Sequence, residues 1–268
     1  MIGIRGHRGA GKNTLSFLLG TAIEHYTRKG SFDGFHDVYN KAVMRCRLNE
    51  SFLYEANFRN VYYESFADIP KVMVADLVGV PTEWAYDDWL KDSTFICINT
   101  FEVKCPKDKL EREAVKNHLN TYGVLYDASN IKSAIDTGKE AWLSLRELIS
   151  YFSHFMRENM GTDVWIKALK SSLWEKEKFF TGNKTMYKIF VDCKFPSEIS
   201  YIKNNGGVIV KTEFPGNMKP DTSISSALAD DPRYDYLFNM QNDLFALEED
   251  IKSLALKLVQ NDKANRSI

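Results

Sequence analysis

The sequence has few cysteines and no long hydrophobic run. Its four cysteines, Cys46, Cys97, Cys105 and Cys193, are far apart and form no Cys-x-x-Cys pair, which excludes a zinc knuckle and a thioredoxin-type motif. Scattered thiols of this kind are typical of a reducing cytosol. No apolar run approaches the roughly 20 residues that cross a bilayer, and the first residues lack the apolar core of a secretion signal. We therefore expect a cytoplasmic protein with no membrane partner.

An excess of charge of one sign is also missing. The 35 basic and 36 acidic residues give a formal net charge of −1, whereas a strongly basic balance is typical of nucleic-acid binding. We therefore expect no nucleic-acid partner. The five histidines show no spacing typical of metal ligands. A length of 268 residues suits one α/β domain with a large insertion, or two small domains.

Alternating strand and helix patterns predict an α/β fold. A short apolar run at 1–5 predicts a strand, and the apolar residues that follow the next glycines recur at helical spacing. Further strand patterns occur at 61–66, 186–192 and 208–211, and helix patterns at 39–58, 68–78, 143–160, 164–178, 196–205 and 243–260. The strand, helix and strand between 186 and 211 are typical of a parallel crossover. We predict a parallel sheet between helices, as three α/β/α layers.

Residues 83–140 interrupt this alternation. They contain one expected hairpin arm at 95–103, a charged helix at 108–120 and a stretch with no clear period. We therefore predict a core of residues 1–82 and 141–268, with 83–140 as an insertion that serves as a lid or as a dimer element. Residues 212–240, which are rich in proline, serine and aspartate, are the second candidate for a lid.

The strongest chemical signal lies between the first strand and the first helix, where 6–14 read GHRGAGKNT. The pattern G-x-x-x-x-G-K is expected by chance roughly 0.07 times in a chain of this composition. In such a loop, glycines let successive backbone amides converge on a phosphate, and the helix N-terminus adds the positive end of its dipole. We predict that ATP phosphates are bound by this loop, at Gly9, Ala10, Gly11, Lys12, Asn13 and Thr14.

The residue after Lys12 departs from the usual pattern. Asn13 stands where a hydroxyl normally binds Mg²⁺, and Thr14 comes one position later. Magnesium is therefore expected on Thr14, on water or on a carboxylate elsewhere. Lysine, any residue and threonine in succession are common among nucleoside monophosphate kinases. No Asn/Thr-Lys-x-Asp guanine motif accompanies the loop, which disfavours a GTPase.

Three further segments follow the loop in order: SFADIPKVMVADLVGVP at 65–81, LSLRELISYFSHFMRENMGTDVWIKAL at 143–169 and IFVDCKFPSEISYIKNNGGVIVK at 189–211. With GKNT, they resemble the deoxynucleoside monophosphate kinases of bacteriophages. That family typically shows Phe-Ala-Asp-x-x-Lys, Arg-Glu-Leu-Leu before Asp-Val-Trp, and Asp-x-Arg-Phe-x-x-Glu before Gly-Gly.

The resemblance implies a fold, a reaction and a setting. The fold is that of a P-loop NTPase, three-layer α/β/α with a parallel sheet and helical substrate-binding or lid insertions. The reaction transfers the γ-phosphate of Mg·ATP to a deoxynucleoside monophosphate and gives the diphosphate. A homodimer and a phage-encoded protein that acts in the host cytoplasm are further expectations of the resemblance.

We predict Lys12, Arg146, Asp192 and Lys194 as the catalytic residues, because their charges suit phosphoryl transfer. We expect Arg146 to bind the acceptor phosphate, because its planar fork of donors can grip a phosphate with two hydrogen bonds. Lys71 is the second cation candidate for the acceptor. Asp192 follows a buried strand and is expected to hold Mg²⁺ or to place the acceptor. Lys194, where the family has arginine, keeps the charge near the transferred group but loses the fork.

Each of these assignments has a plainer alternative. Arg146 can form a surface salt bridge with Glu147 or Glu140, and Lys71 can be an ordinary exposed lysine. Asp192 can cap the helix that begins near 196.

Two further residues are candidates for contact with the acceptor. Glu198 is expected to contact a base or sugar edge, with an ordinary first-turn acid as the alternative. Trp165 is expected to stack on the acceptor base, with a core tryptophan as the alternative.

The departures from the family pattern leave two other functions open. Besides Lys194, residues 223–226 read Ser-Ile-Ser-Ser where the family often has His-x-Ser-Glu. A catalytically weakened nucleotide-binding scaffold is one alternative. A P-loop kinase for another small metabolite, such as dephospho-coenzyme A, is the other.

Overall fold

The computed structural model describes residues 1–7, 9–48, 58–121, 140–179, 187–214 and 231–266. The chain forms two compact units, Met1–Phe66 with Leu169–Ile268, and Ala67–Ala168. The second unit therefore contains the described part of the predicted insertion 83–140 together with helices on both sides of it. Residues 122–139 of that insertion, and 215–230 of the second lid candidate, lie outside the described residues. Both lid assignments remain predictions.

The elements alternate along the chain as the sequence predicts. The strands are β1 (Ile2–Arg5), β2 (Val61–Glu64), β3 (Phe95–Cys97), β4 (Val103–Lys104), β5 (Trp142–Ser144), β6 (Tyr187–Phe190), β7 (Val208–Glu213) and β8 (Tyr236–Asn239). The helices are α1 (Lys12–Lys29), α2 (Phe35–Leu48), α3 (Asp68–Val78), α4 (Asp88–Ser93), α5 (Lys109–Thr121), α6 (Leu145–Met160), α7 (Val164–Phe179), α8 (Pro196–Asn204) and α9 (Glu248–Arg266), with 3₁₀ turns at Thr82–Ala85 and Leu244–Leu247. Among the residues described, no helix is long and apolar enough to span a bilayer.

The first unit is built on a five-stranded sheet in the order β2-β6-β1-β7-β8. All four pairings are parallel, and β1 lies at the centre, where Gly3 pairs with Phe190 of β6 on one side and Ile209 of β7 on the other. The predicted parallel α/β fold is confirmed. Because every strand runs the same way, the carboxyl ends of all five strands lie along one edge of the sheet.

Helices cover both faces of this sheet because its strands are apolar on both sides. On one face, Ile2 and Ile4 belong to a buried core that includes residues of α1, α2 and α9. On the other face, α8 approaches so closely that a Cβ on Gly3 would lie 2.6 Å from Ile202 Cδ1. A side chain at position 3 would have to displace Ile202 and Ile209, so α8 packs closely on the central strand and the unit has three layers.

The second unit contains a three-stranded antiparallel sheet in the order β4-β3-β5. Phe95 pairs with Lys104, so the predicted hairpin arm at 95–103 comprises both arms of a short hairpin and its turn. Phe95 also pairs with Ser144 of β5. The helix predicted from 143 therefore begins at Leu145. Ser144 caps it, because its side chain accepts a hydrogen bond from the Glu147 amide (3.2 Å).

Other boundaries differ by a few residues from the predicted ones. The helix predicted at 39–58 begins at Phe35 and is described to Leu48, beyond which 49–57 lie outside the described residues. The strand predicted at 61–66 ends at Glu64. The helix predicted from 243 begins at Glu248, because a 3₁₀ turn precedes it.

Candidate functional site

The glycine-rich loop joins β1 to α1 at the carboxyl edge of the parallel sheet. The next strand in the chain, β2, lies on one side of β1, whereas β7 and β8 lie on the other. Open parallel sheets bind ligands outside the carboxyl ends of their strands, where the strand order reverses. The topology therefore places this loop at the edge where such a sheet binds its ligand.

Backbone conformation in the loop depends on glycine. Gly9 and Gly11 have φ values of +83° and +74°, in the left-handed region that side chains disfavour. At Gly11 a Cβ would also lie 2.9 Å from Met240 Cε, so the Met240 side chain would have to move to make room for it. The first intrahelical hydrogen bond runs from the Leu15 amide to the Gly11 carbonyl (2.8 Å). The amides before it are those that a helix leaves for an external acceptor.

The Lys12 side chain turns back over the loop. Its ammonium donates hydrogen bonds to the Gly6 carbonyl (2.9 Å) and the His7 carbonyl (2.8 Å), and lies 3.3 Å from Asp192 Oδ1. An ammonium has three donor hydrogens, and these three acceptors match them. The side chain is 11% exposed. Lys12 is thus a largely enclosed cation fixed at the loop.

Asp192 lies between two lysines. Its Oδ2 is 3.2 Å from Lys194 Nζ, while its Oδ1 faces Lys12. The Asp192 backbone has φ +64°, which is uncommon for a residue other than glycine. Phe195 occupies the N-cap position of α8, so Asp192 is not the cap of that helix. Three of the four residues predicted to be catalytic therefore lie together: Lys12, Asp192 and Lys194.

The oxygen donors at this edge are of the kind that bind magnesium. No group of three or more histidine, cysteine or acidic side chains that could hold a metal ion occurs among the described residues. Mg²⁺ prefers oxygen ligands and commonly binds through one or two protein groups, water and substrate phosphates. The Asp192 carboxylate and the Thr14 hydroxyl, in the first turn of α1, are oxygen donors of that type.

Glu198 lies inside the turn that carries Asp192 and Lys194. Its residue exposure is 2%, and its Oε2 accepts hydrogen bonds from the backbone amides of Lys194 (2.8 Å) and Phe195 (3.0 Å). The carboxylate is therefore committed to the backbone of this turn. The expected contact with a base or sugar edge remains a prediction, and it would require these hydrogen bonds to be shared.

In the second unit, Arg146 binds two acidic residues of α4. Its Nε donates to Asp92 Oδ1, and its Nη2 donates to Asp88 Oδ1 (2.8 Å) and to Asp92 Oδ2 (3.4 Å). Neither of these partners is Glu140 or Glu147, the two residues that the sequence offered as alternative salt-bridge partners. The guanidinium is 24% exposed and lies in the first turn of α6.

Two lysines lie near this arginine. Lys91 Nζ is 2.9 Å from Asp88 Oδ1. Burial lowers the pKa of Lys91, and the neighbouring charges of Arg146 and Lys71 lower it further, although Asp88 opposes them. Burial opposes ionisation of Asp88, but hydrogen bonds from Lys91 and Arg146 hold its pKa well below the usual range.

Lys71 has its own partners within the second unit. Its ammonium is 3.2 Å from Asp68 Oδ1 and lies over the Tyr86 ring, 4.5 Å from the centroid. The charge cluster of the second unit therefore consists of three cations and three acids: Lys71, Lys91, Arg146, Asp68, Asp88 and Asp92. Sequence reasoning missed Lys91, Asp88 and Asp92, although positions i, i+3 and i+4 share one face of a helix.

Trp165 is buried in the second unit, with 1% of its surface exposed. Its indole N–H donates to the Ser153 carbonyl (3.2 Å), and its ring packs against Phe152. This is the environment of a core tryptophan, which the sequence left open as the alternative to base stacking. Stacking on a nucleobase would require the ring to become exposed.

Comparison with protein-family models finds no match, and comparison with curated protein sequences finds none either. The resemblance to the phage kinases therefore depends on the four sequence segments, and the site on its own geometry.

Proposed function

We propose that this protein is an ATP-dependent kinase that transfers the γ-phosphoryl group to a deoxynucleoside monophosphate and releases the diphosphate and ADP. The observation that carries the proposal is the Lys12 ammonium in the glycine-rich loop, next to Asp192, at the carboxyl end of the central strand. This is a cation fixed among glycines and helix amides, which is the combination that a phosphate chain requires.

Phosphoryl transfer needs positioning and charge compensation more than covalent chemistry. Lys12 and Lys194 supply two positive charges within salt-bridge distance of one carboxylate, so both can turn to phosphate oxygens without leaving the loop region. Lys12 would exchange acceptors of the protein for oxygens of the β- and γ-phosphates. Asp192 and Thr14 would hold the Mg²⁺ that ATP brings, and the ion would offset charge on the transferred group.

The acceptor class follows from the resemblance. We propose Arg146 and Lys71 as the residues that bind the acceptor phosphate, with Trp165, Asp192 and Glu198 as further acceptor contacts of the family pattern. What supports the first two is that both are partly exposed cations of one charge cluster in the second unit, although each is paired with an acidic side chain there. Arg146 would have to share its fork between the α4 carboxylates and the phosphate.

The test is a coupled ADP-release assay with Mg·ATP and a panel of deoxy- and ribonucleoside monophosphates. We expect one or more deoxynucleotides to stimulate ADP release, and Lys12→Ala to abolish it. Lys29→Ala is the matched control, because it removes an exposed lysine from the other end of the same helix.

The remaining outcomes identify the alternatives. Silence across the panel, with ATP still bound, contradicts the proposed acceptor and favours either a nucleotide-binding scaffold or a kinase for another metabolite. Dephospho-coenzyme A is therefore included in the panel. Absence of ATP binding to the unmodified protein contradicts the proposal as a whole.

A further inference from the structure

The turn after β6 is held at four of its backbone amides. The Val191 amide donates to the Glu64 carbonyl at the end of β2, and the Cys193 amide donates to the Ile4 carbonyl of β1, each at 2.8 Å. The turn is thus fastened to the two strands on either side of β6. Ile4 lies two residues before Gly6, whose carbonyl accepts a hydrogen bond from Lys12.

Glu198 supplies the other two fastenings. Its Oε2 receives the amides of Lys194 and Phe195, and the residue is buried in the first turn of α8. A carboxylate bound to backbone amides is a charge-assisted contact, stronger than an amide–carbonyl hydrogen bond. One buried side chain therefore fixes the second half of the turn on the helix that follows it.

Between these fastenings lies a strained residue. Asp192 has φ +64°, in the left-handed region that residues with a side chain adopt only uncommonly. Such a conformation persists only where the surroundings over-determine it. If the fastening at Lys194 and Phe195 is lost, the turn can relax to an ordinary conformation, and the Asp192 carboxylate then leaves Lys12.

We propose that Glu198 is a positioning residue: through the backbone of Lys194 and Phe195 it holds Asp192 and the Lys194 ammonium at the phosphate-binding loop. The inference rests on the proposed function, because it assigns the cause of the geometry at the same site. It differs from a contact between Glu198 and the substrate, since Glu198 acts here without touching a ligand.

The competing interpretation is that Glu198 only stabilises the start of α8. Helix capping by a side chain contributes to stability wherever it occurs. The two interpretations differ in how the effect of Glu198 depends on Asp192. A positioning role predicts a smaller loss of Mg·ATP affinity and kcat/KM when the Asp192 carboxylate is absent, whereas a stabilising role predicts the same loss.

The experiment measures Mg·ATP affinity and kcat/KM for Glu198→Ala and Glu198→Gln, well below their unfolding temperatures. We expect Glu198→Ala to lower kcat/KM by about tenfold or more, since small misplacements of reacting groups have effects of this size. Glu198→Gln should recover much of the loss, because its amide oxygen can accept the same two hydrogen bonds.

Glu24→Ala is the matched control. Glu24 is also buried in the first unit, and its Oε2 also accepts a backbone amide, that of Asn60 at 2.7 Å. Asn60 precedes β2 and therefore lies at the amino edge of the sheet, opposite the loop. Glu24→Ala should lower the unfolding temperature but leave kcat/KM of the folded protein within about twofold.

A double-mutant cycle separates positioning from stability. In an Asp192→Asn background, adding Glu198→Ala should reduce kcat/KM by a clearly smaller factor than it does in the unmodified protein, because the carboxylate that it positions has been removed and only its effect on Lys194 is left. Hydrogen exchange gives a second readout: in Glu198→Ala, the peptide spanning 191–198 should exchange faster while β6 stays protected. If the alanine variant does not fold, Glu198→Asp takes its place in this readout, because its carboxylate is one methylene short of the two amides.

Each result has a definite meaning. If the unmodified protein turns over and Glu198→Ala matches Glu24→Ala, or if the effect of Glu198→Ala persists undiminished without the Asp192 carboxylate, the positioning role is wrong and the proposed function stands. Unchanged exchange at 191–198 also overturns it. If the unmodified protein does not bind nucleotide, the proposed function fails and the inference fails with it.

Discussion

Neutralising Asp192 should tighten the binding of magnesium-free ATP and slow the turnover of Mg·ATP. Asp192→Asn removes one negative charge and keeps the side-chain size. Asparagine also tolerates the left-handed backbone that position 192 adopts, so the turn need not move. The substitution therefore isolates the charge between Lys12 and Lys194.

The size of the effect follows from the two ion pairs. Asp192 is 3.3 Å from Lys12 and 3.2 Å from Lys194, with 26% of its side chain exposed. Partly exposed pairs of this kind contribute up to about 1 kcal/mol each after solvent screening. Releasing both lysines to phosphate oxygens therefore favours binding of magnesium-free ATP by about 1–2 kcal/mol, or roughly 5–30-fold in Kd.

With magnesium, the sign reverses for turnover. The variant replaces the carboxylate by a neutral amide, which is a weaker ligand for Mg²⁺, and weakening the support of a metal typically costs about 10–100-fold in affinity or activity. We expect Asp192→Asn to bind ATP more tightly in a chelator and to turn over Mg·ATP more slowly. Calorimetry with and without Mg²⁺ and the coupled assay measure the two quantities.

A control and a refuting result complete this test. Asp37→Asn makes the same change in net charge at an exposed position in α2, and should alter neither quantity appreciably. If magnesium-free ATP binds Asp192→Asn no more tightly than it binds the unmodified protein, the carboxylate does not restrain the two lysines, and the electrostatic argument is refuted.

Three other predictions concern stability. Asp92→Asn weakens the contact with Arg146, so the free energy of unfolding in urea should fall by about 1 kcal/mol. An unchanged free energy of unfolding would contradict a structural role for the pair. The Tyr63 hydroxyl is buried without a hydrogen-bond partner in the described part of the chain. Tyr63→Phe should therefore raise the free energy of unfolding by about 1 kcal/mol. A loss of stability on thermal unfolding would contradict this and show that the hydroxyl has an acceptor. A hydrogen bond from Arg233 lowers the pKa of Asp231 from 3.8 to about 2. That contribution to stability is therefore present above the unfolded-state pKa and is lost as the pH falls through about 4 to about 2; Asp231→Asn should flatten acid unfolding in this range, and an unchanged slope would contradict the assignment.

The local sequence determined those helices and strands whose apolar residues recur at helical or strand spacing. The start of α8 is marked by Pro196 and its end by Asn205-Gly206-Gly207, and an apolar strand lies on each side of the helix. The structure has this arrangement. The glycine-rich loop is likewise contiguous in sequence, so its position between β1 and α1 could be predicted. These signals need only neighbouring residues, because turns, caps and apolar periods act over a few positions.

Other elements depend on distant partners. Trp142–Ser144 runs directly into a helical pattern, and it becomes β5 only because it pairs with β3. Strand formation depends on context more than helix formation does, since a strand is stabilised by its neighbours in the sheet. The sequence therefore predicted the helix and extended it over the strand.

The sequence by itself determined the parallel α/β fold, the glycine-rich loop and the types of residue that could handle phosphate. Only the tertiary structure decided which of them meet. It placed Asp192 next to Lys12. Arg146 pairs with Asp88 and Asp92 rather than with Glu140 or Glu147. The Glu198 carboxylate accepts hydrogen bonds from the backbone of the turn that precedes its own helix. The physical reason is that an ion pair has no period along the chain: its partners are chosen when buried strands and helices pack, and their packing is decided by the whole hydrophobic core.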